Sequence, residues 1–234
     1  ETMAQKVADE DRTEEHRHRS GTRAMTEVRQ LTLENFSGKN NKFFTLTFGD
    51  HGDWVKNVEE CNKLFKKFIQ KLRYRYGKDF KFLVVVEFQD KNERGAVHYH
   101  LLLDEKFPLV PVNRDKVRDL KEAGKLPEHY KEKENLEDIW SWGWVSIEKI
   151  NHVRDMGKYL IKYMIKDFGD IRLEGKKNYW TSRNVDRPDK ITDYNEAVEV
   201  IKRHELEKKE TAFEVSYESE YVGTVILREY VLDC

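Results

Sequence analysis

The stretch VVVEFQDKNERGAVHYHLLLD, residues 84–104, decides the fold of this chain. Two apolar runs flank the polar segment DKNERG at 90–95, whose Asp, Asn and Gly residues are typical of a turn. The pattern predicts two antiparallel strands joined as a β-hairpin. The returning strand carries His98-Tyr99-His100, two imidazoles separated by one residue.

Side chains alternate along a strand, so His98 and His100 lie on one face of the hairpin and Tyr99 on the other. When the apolar sides of the two strands are matched, Glu87 falls on the face of the two histidines. A carboxylate and two imidazoles suit a divalent metal ion, with Mg²⁺ or Mn²⁺ favoured and Zn²⁺ also compatible. The alternative is structural: half-exposed strand histidines, with Glu87 in an ion pair with a lysine.

The segments around the hairpin add strand and helix patterns. Residues 43–48 (FFTLTF) and 144–147 (WVSI) are rich in aromatic and β-branched side chains, which favours strands. Apolar residues recur every three or four positions over 54–76. This spacing predicts a helix that Asp53 caps and Gly77 ends.

A second helix is predicted over 151–168, so the patterns run strand, helix, hairpin, strand, helix. This order predicts an α+β fold, a central antiparallel sheet with helices packed on one face. Beyond it, residues 176–184 (KKNYWTSRN) are predicted to form a basic aromatic loop. A helix near 194–210 and a pair of strands near 213–231 should follow.

Composition divides the chain into three parts. Residues 1–27 are polar and densely charged, which indicates a tail or a loosely attached helix. Residues 28–190 form the main domain, with an insertion at 104–138 that is rich in proline and charge. Residues 191–234 form a C-terminal extension of helix and strands.

Charge and cysteine usage narrow the functional classes. The 234 residues carry a formal net charge of −1, so a nucleic-acid surface must be a local patch. Cys61 and Cys234 make no disulfide or metal pattern, which favours a reducing, cytoplasmic compartment. No run approaches the ~18 apolar residues of a membrane span, and no secretory signal is visible. The chain starts at Glu1 rather than at methionine, which suggests a fragment of a longer protein.

The helical segment YLIKYMIK, residues 159–166, carries a second set of reactive groups. At ~100° per residue, Tyr159 and Tyr163 share one stripe with Lys162 and Lys166, and the aliphatic residues lie roughly opposite. A tyrosine hydroxyl attacks phosphorus well only when a metal polarises the phosphate and nearby charge stabilises the product. The pattern therefore indicates phosphoryl transfer through tyrosine. The alternative is a pair of amphipathic surface tyrosines beside lysines.

Taken together, the sequence resembles the HUH endonucleases, and within them the rolling-circle replication initiators of plasmids and phages. The motifs FFTLTF at 43–48, HYHLLL at 98–103 and YLIKYMIK at 159–166 carry the resemblance in order and spacing, and TSRN at 181–184 is similar to a tract that follows the tyrosine helix in such initiators. The resemblance covers roughly residues 30–184.

The resemblance implies that His98 and His100 bind the metal with Glu87 as third ligand. It also implies that Tyr159 and Tyr163 are paired nucleophiles of the two-tyrosine type, with Lys162 and Lys166 in the family's lysine positions. Such initiators nick one strand of single-stranded or hairpin origin DNA. They form a 5′-phosphotyrosine link and leave a 3′-OH, so a host polymerase and helicase are candidate partners. The implied location is the cytoplasm of a prokaryotic host.

Two basic segments support DNA binding independently of the resemblance. The first spans 63–81, and the second is the loop at 176–184, where cations and aromatic rings alternate. Solvated helix lysines and a core-packed tryptophan are the corresponding structural alternatives. The candidate DNA-binding residues are Lys71, Arg73, Arg75, Lys176, Lys177, Trp180 and Arg183.

Three hypotheses remain open from the sequence. The leading one is a metal-dependent DNA nickase and strand transferase that initiates rolling-circle replication. The second is an HUH transposase or conjugative relaxase, which shares the same chemistry. The third is a DNA-binding module that holds an origin without cleaving it, and the tyrosine helix argues against it.

Overall fold

A computed structural model describes residues 3–38, 40–90, 94–108, 119, 122–125, 136–149, 156–167, 170–211, 213–219, 221–230 and 232. The chain divides into two compact units, Glu1–Pro188 and Asp189–Cys234. Most of the predicted insertion and the tip of the predicted hairpin turn lie outside the described residues. The assignment of functional domains to these units stays a prediction.

The first unit is built on an antiparallel sheet. Within the described residues its strands are arranged in the order β4-β1-β3-β2-β5, and each strand pairs antiparallel with its neighbours. This arrangement confirms the predicted α+β fold and the predicted hairpin. The elements are helices α1 (Met3–Phe36), α2 (Val58–Tyr76), α3 (Leu136–Ile139) and α4 (Met156–Lys166), with strands β1 (Lys42–Phe48), β2 (Phe82–Gln89), β3 (Ala96–Leu103), β4 (Gly143–Lys149) and β5 (Tyr179–Thr181).

Helices cover both faces of this sheet, whereas the sequence predicted helices on one face only. The physical reason is that β3 is buried along its whole length and β2 along nearly all of it, so both sides of the central strands need apolar partners. On one face, α2 and α3 enclose a large core around Phe68 and Tyr99. On the other face, α1 and α4 enclose a smaller core around Phe43 and Leu160.

Helix α2 shows how local sequence forms the first layer. Its apolar stripe is buried as predicted, with Phe65, Phe68 and Leu72 facing the sheet. The predicted cap is wrong: the Asn57 side chain, not Asp53, accepts hydrogen bonds from the backbone N–H groups at the start of the helix. Asp53 instead begins a short 3₁₀ turn that precedes the helix. Gly77 ends the helix at φ 87°, a conformation that favours glycine.

Part of the predicted loop at 176–184 is a strand. Residues Tyr179 to Thr181 form β5, which pairs with Leu83 to Val85 of β2. Ser182 extends the pairing, since its backbone N–H donates to the Phe82 carbonyl at 2.9 Å and its hydroxyl accepts from the Phe82 N–H at 3.0 Å. The loop prediction failed because a three-residue strand has too little alternation to be recognised without its partner.

The second unit combines a helix and a hairpin. Helix α5 (Tyr194–Arg203) is capped by the Asp193 side chain, and strands β6 (Phe213–Ser219) and β7 (Gly223–Glu229) pair antiparallel. Both elements were predicted, with the helix a few residues shorter than expected. Across the described ranges, none of the helices has the length and apolarity needed to cross a bilayer.

Candidate active site

The predicted metal ligands lie side by side on the face of the sheet that α1 and α4 cover. Glu87 of β2 is directly opposite His98 of β3, and His100 lies two residues further along the same strand. All three side chains are buried although they are polar. The register confirms that the three share one face, because cross-strand partners project on the same side and residues two apart on a strand do so as well.

Glu87 has two cationic or donor neighbours. One carboxylate oxygen accepts a hydrogen bond from His100 Nε2, and the other accepts one from Lys166 Nζ of α4. Burial alone would raise the pKa of the Glu87 carboxyl, but the hydrogen bonds from His100 and Lys166 outweigh it and lower the pKa. Glu87 is therefore ionised at neutral pH and ties the sheet to the tyrosine helix.

His98 is oriented by a polar chain from the hairpin. Its Nε2 atom lies 2.9 Å from Gln89 Oε1, and Arg94 Nη1 donates to the same oxygen at 2.6 Å. Burial and the nearby His100 lower the pKa of His98 to about 4. The imidazole is consequently neutral at physiological pH, the form that binds metals.

His100 is held on both of its ring nitrogens. Nε2 donates to Glu87, and Nδ1 lies 3.3 Å from the hydroxyl of Thr45 on β1. Burial lowers the pKa of His100, although the Glu87 carboxylate opposes the shift. A neutral ring that donates through Nε2 can accept from the Thr45 hydroxyl through Nδ1, so both contacts are satisfied.

The tyrosine helix packs directly on this site. The Tyr163 ring stacks on His100 with ring centroids 3.6 Å apart, and the Tyr163 hydroxyl donates to the Tyr159 hydroxyl at 3.4 Å. Phe43 of β1 contacts the Tyr159 ring edge-on at 4.9 Å. Two positions of an α-helix separated by four residues lie one above the other, so both hydroxyls meet at one place.

The structure corrects the predicted exposure of this helix. Tyr159 and Tyr163 are half-buried rather than exposed, and Ile165, which was assigned to the apolar face, is 58% exposed. Leu160 and Met164 are buried as expected. The reason is that α4 approaches the sheet along the edge shared by its aliphatic and tyrosine stripes, so both stripes contact it.

Lysine side chains lie over the tyrosine rings. Lys162 Nζ is 3.8 Å from the centroid of the Tyr159 ring and 4.7 Å from that of Tyr163. Lys166 Nζ is 5.4 Å from the Tyr163 centroid and also contacts Glu87. The predicted catalytic set of Tyr159, Tyr163, Lys162 and Lys166 therefore converges with the predicted metal set.

Sequence reasoning missed Asp167, which follows the tyrosine helix. Its carboxylate accepts a hydrogen bond from the backbone N–H of Phe88 at 2.7 Å, next to Glu87. This N–H lies on the side of β2 where β5 has already ended. Burial raises the pKa of Asp167 to about 6. Asp167 thus takes the place of a neighbouring strand and fixes the end of α4 on the sheet.

An acidic cluster lies beside this anchor. Among the residues that the structure describes, Asp90, Asp167 and Asp170 have donor atoms within 4.8 Å of one another. Arg172 donates two hydrogen bonds to Asp90, at 2.8 and 2.7 Å, and also binds Asp170. A guanidinium already supplies the positive charge, so this cluster ties the segment after α4 to the end of β2.

The predicted metal ligands do not converge in the same way in the described part of the chain. The His98 Nε2 atom turns toward Gln89, and Glu87 is engaged with His100 and Lys166. The donor set itself fits a divalent metal ion, because it offers one ionised carboxylate and two neutral imidazoles on one face. Metal binding would replace these contacts.

The structure separates the first group of predicted DNA-binding residues from the site. Lys71, Arg73 and Arg75 belong to α2, which packs on the opposite face of the sheet. The Arg73 guanidinium lies 5.5 Å from the centroid of the Phe82 ring, and Lys71 Nζ lies 5.8 Å from that of Trp142. A role for this patch in DNA binding stays a prediction.

The second predicted patch borders β5. Lys176, Lys177 and Arg183 are exposed, which suits contacts with phosphate. Trp180 instead turns toward the α2 face, where its ring lies 6.2 Å from Phe65, as the structural alternative proposed.

Comparisons with known proteins agree with this architecture. Residues 41–168 match the family model of replication-associated proteins of the ORF2 type, and the chain belongs to this family. A curated relative, "Replication-associated protein ORF4" of Chlamydia phage 1, is 26% identical over 141 residues. That alignment covers 59% of this chain and 34% of the relative, so the chain spans about a third of the length of the relative. No solved structure gives a significant match.

Proposed function

We propose that this chain is the nicking and rejoining domain of a replication initiator, an HUH endonuclease of the two-tyrosine type. The stacking of Tyr163 on His100 is the observation that carries this proposal. It brings a candidate nucleophile onto a candidate metal ligand from a distant part of the sequence. Membership of the replication-associated family supports DNA as the substrate.

Glu87, His98 and His100 are the residues that would hold the metal, with Mg²⁺ or Mn²⁺ as the expected ion. When bound, the ion would polarise the phosphate and stabilise its developing charge. Glu87 and His100 also position the helix, because they contact Lys166 and Tyr163 directly.

Tyrosine supplies the nucleophile. The hydroxyl oxygen of one tyrosine attacks the phosphorus, and the bond from phosphorus to the 3′ oxygen breaks as that oxygen takes up a proton. The products are a 5′-phosphotyrosine link and a free 3′-OH. Because the hydroxyls of Tyr159 and Tyr163 lie 3.4 Å apart, the second tyrosine can reach the same phosphate in a later transfer.

The lysines supply charge at the reacting groups. Lys162 lies over both tyrosine rings, and Lys166 bridges Tyr163 and Glu87. Both are positioned to stabilise a phenolate or a phosphate oxygen. Lys176, Lys177 and Arg183 are proposed phosphate contacts further along the strand. A single-stranded or hairpin origin is the proposed substrate, and a host helicase and polymerase are the proposed partners.

Covalent capture tests this proposal. A single-stranded oligonucleotide with a randomised core and a 3′ fluorophore should become attached to the chain in Mn²⁺, because the 5′-phosphotyrosine link retains the 3′ part. We expect Tyr159→Phe or Tyr163→Phe alone to keep some adduct or rejoining, and the double variant to lose the adduct completely. Denaturing gels measure the adduct, and mass spectrometry identifies the modified residue.

Sequencing the attached fragments would also define the cleavage site. Full adduct formation by the double variant, or an adduct on another side chain, would overturn the mechanism. Tight binding without any adduct would instead favour a non-catalytic module that holds the origin.

A further inference from the structure

Three tryptophans that alternate near the start of β4 have different surroundings. Trp140 is fully buried and donates from its indole N–H to the Thr47 carbonyl at 3.0 Å. Trp142 is half-buried and packs edge-on against Trp140, with centroids 5.4 Å apart. Trp144 is 59% exposed. Packing accounts for the first two residues and leaves Trp144 without a structural explanation.

Trp144 shares the sheet face of the candidate active site. It is directly opposite Thr47 of β1, Thr47 is opposite His98 of β3, and His98 is opposite Glu87 of β2. Paired residues in a sheet project on the same side, so these four side chains form one row across the face. Adjacent strands lie ~4.8 Å apart, which places Trp144 roughly 10 Å from His98.

This row opens toward the edge of the sheet. Glu87 and His98 are buried, Thr47 is half-buried and Trp144 is exposed. Strand β4 is an edge strand of the sheet among the described residues. A chain that leaves the site along this row would therefore reach the Trp144 ring.

The backbone that carries Trp144 is held firmly. The Trp142 carbonyl accepts from the backbone N–H of Gly49 at 2.7 Å, and His51 Nε2 lies 2.9 Å from the same oxygen. A side chain at Gly143 would overlap the Thr47 carbonyl, so only glycine permits this close approach. The ring is thus presented from a fixed strand, which limits the entropy lost on binding.

We propose that Trp144 is a base-stacking residue for single-stranded DNA beside the phosphate that is cleaved. The inference rests on the proposed function, which makes single-stranded DNA the substrate. An exposed indole on a polar sheet face suits an unpaired base, because every base has a flat aromatic face and stacks on tryptophan. Phosphates would meet the cations of α4, and a neighbouring base would meet Trp144.

Binding of a 20-mer oligodeoxythymidylate, compared with a 20-mer of abasic sites, tests the proposal. The measurements use the Tyr159→Phe, Tyr163→Phe background, in which no cleavage occurs. Trp144→Val removes the ring and keeps a strand-favouring side chain. We expect roughly tenfold weaker binding of the oligodeoxythymidylate, no change for the abasic chain and an unchanged salt dependence. Trp144→Phe should restore most of the affinity.

Tyr74→Ala is the matched control, because Tyr74 is also an exposed aromatic residue but lies on α2. This variant should bind as the background protein does. Equal affinities for the background and Trp144→Val proteins, while the unsubstituted chain still forms adduct, would overturn this inference and leave the proposed function intact. Failure of the background protein to bind any oligonucleotide would contradict both.

Discussion

The two faces of the central sheet differ sharply although the same strands build both. On the α2 face, consecutive inward positions are apolar or aromatic, and the Tyr99 hydroxyl makes a 2.7 Å hydrogen bond to Asn62. On the α4 face, the alternate positions of the same strands carry Glu87, His98 and His100. Burial of polar groups costs free energy that burial of apolar groups does not.

The contrast is clearest between two adjacent residues. Tyr99 is buried among Phe65, Trp140 and Trp180, whereas His100 lies under Tyr163 and bonds to Glu87. Burial raises the pKa of Tyr99 well above its ordinary value, which makes that hydroxyl a poor nucleophile. One face therefore supplies stability, and the other holds the groups that we propose for chemistry.

The largest expected effect comes from removing the histidines. His98→Ala with His100→Ala should reduce adduct formation by roughly two orders of magnitude or more, since loss of outer partners of metal ligands alone typically costs ~10–100-fold. Single-stranded DNA binding should remain, because most of its affinity comes from contacts with phosphate. Adduct yield in Mn²⁺ and fluorescence anisotropy measure the two properties.

Tyr99→Phe is the matched variant on the opposite face. It should lower the free energy of unfolding by about 1 kcal/mol because the hydrogen bond to Asn62 is removed, and it should leave adduct formation unchanged. Full cleavage by the double histidine variant in the presence of a chelator would remove the basis for this division between faces.

An intermediate effect is expected at Asp167, which joins α4 to the sheet. Asp167→Ala leaves the buried N–H of Phe88 without its acceptor and should cost about 1–3 kcal/mol of unfolding free energy. Asp167→Asn keeps an acceptor and should recover most of it. Amide hydrogen exchange at Phe88 would report the bond directly, and equal protection in all three proteins would contradict the assignment.

The pH dependence of the same residue has a definite sign. Burial raises the pKa of Asp167 to about 6 from 3.8, so the stability that its protonated form contributes is lost as pH rises through this range. Asp167→Asn does not ionise. The stability of the Asn variant relative to the unsubstituted chain should therefore increase between pH ~4 and ~6 and then level off. Urea unfolding at fixed pH values measures the difference.

The smallest effect concerns the cations of α2. Replacement of Lys71, Arg73 and Arg75 by glutamine should weaken DNA binding modestly and reduce the salt slope by ~0.7 for each phosphate that the protein no longer neutralises. The same changes at Lys176, Lys177 and Arg183 provide the comparison. An unchanged slope in the α2 variant would show that DNA stays away from that face.

Strand alternation explains why much of the site was predictable. Placement of Glu87 with His98 and His100 needed only parity and the matching of apolar sides, and the register agrees. The stripe of α2 followed from its spacing in the same way. The α2 cap was predicted wrongly because Asp53 and Asn57 are both good caps, and the 3₁₀ turn that Asp53 begins moved the helix start.

The sequence by itself determined which residues share a strand face or a helix stripe, because those relations depend on fixed local periods. Only the tertiary structure decided which faces meet. The contacts of Tyr163 with His100, of Asp167 with Phe88 and of Thr47 with Trp144 join residues far apart in the chain. Such contacts depend on how helices and strands pack around two cores, and no local pattern encodes that packing.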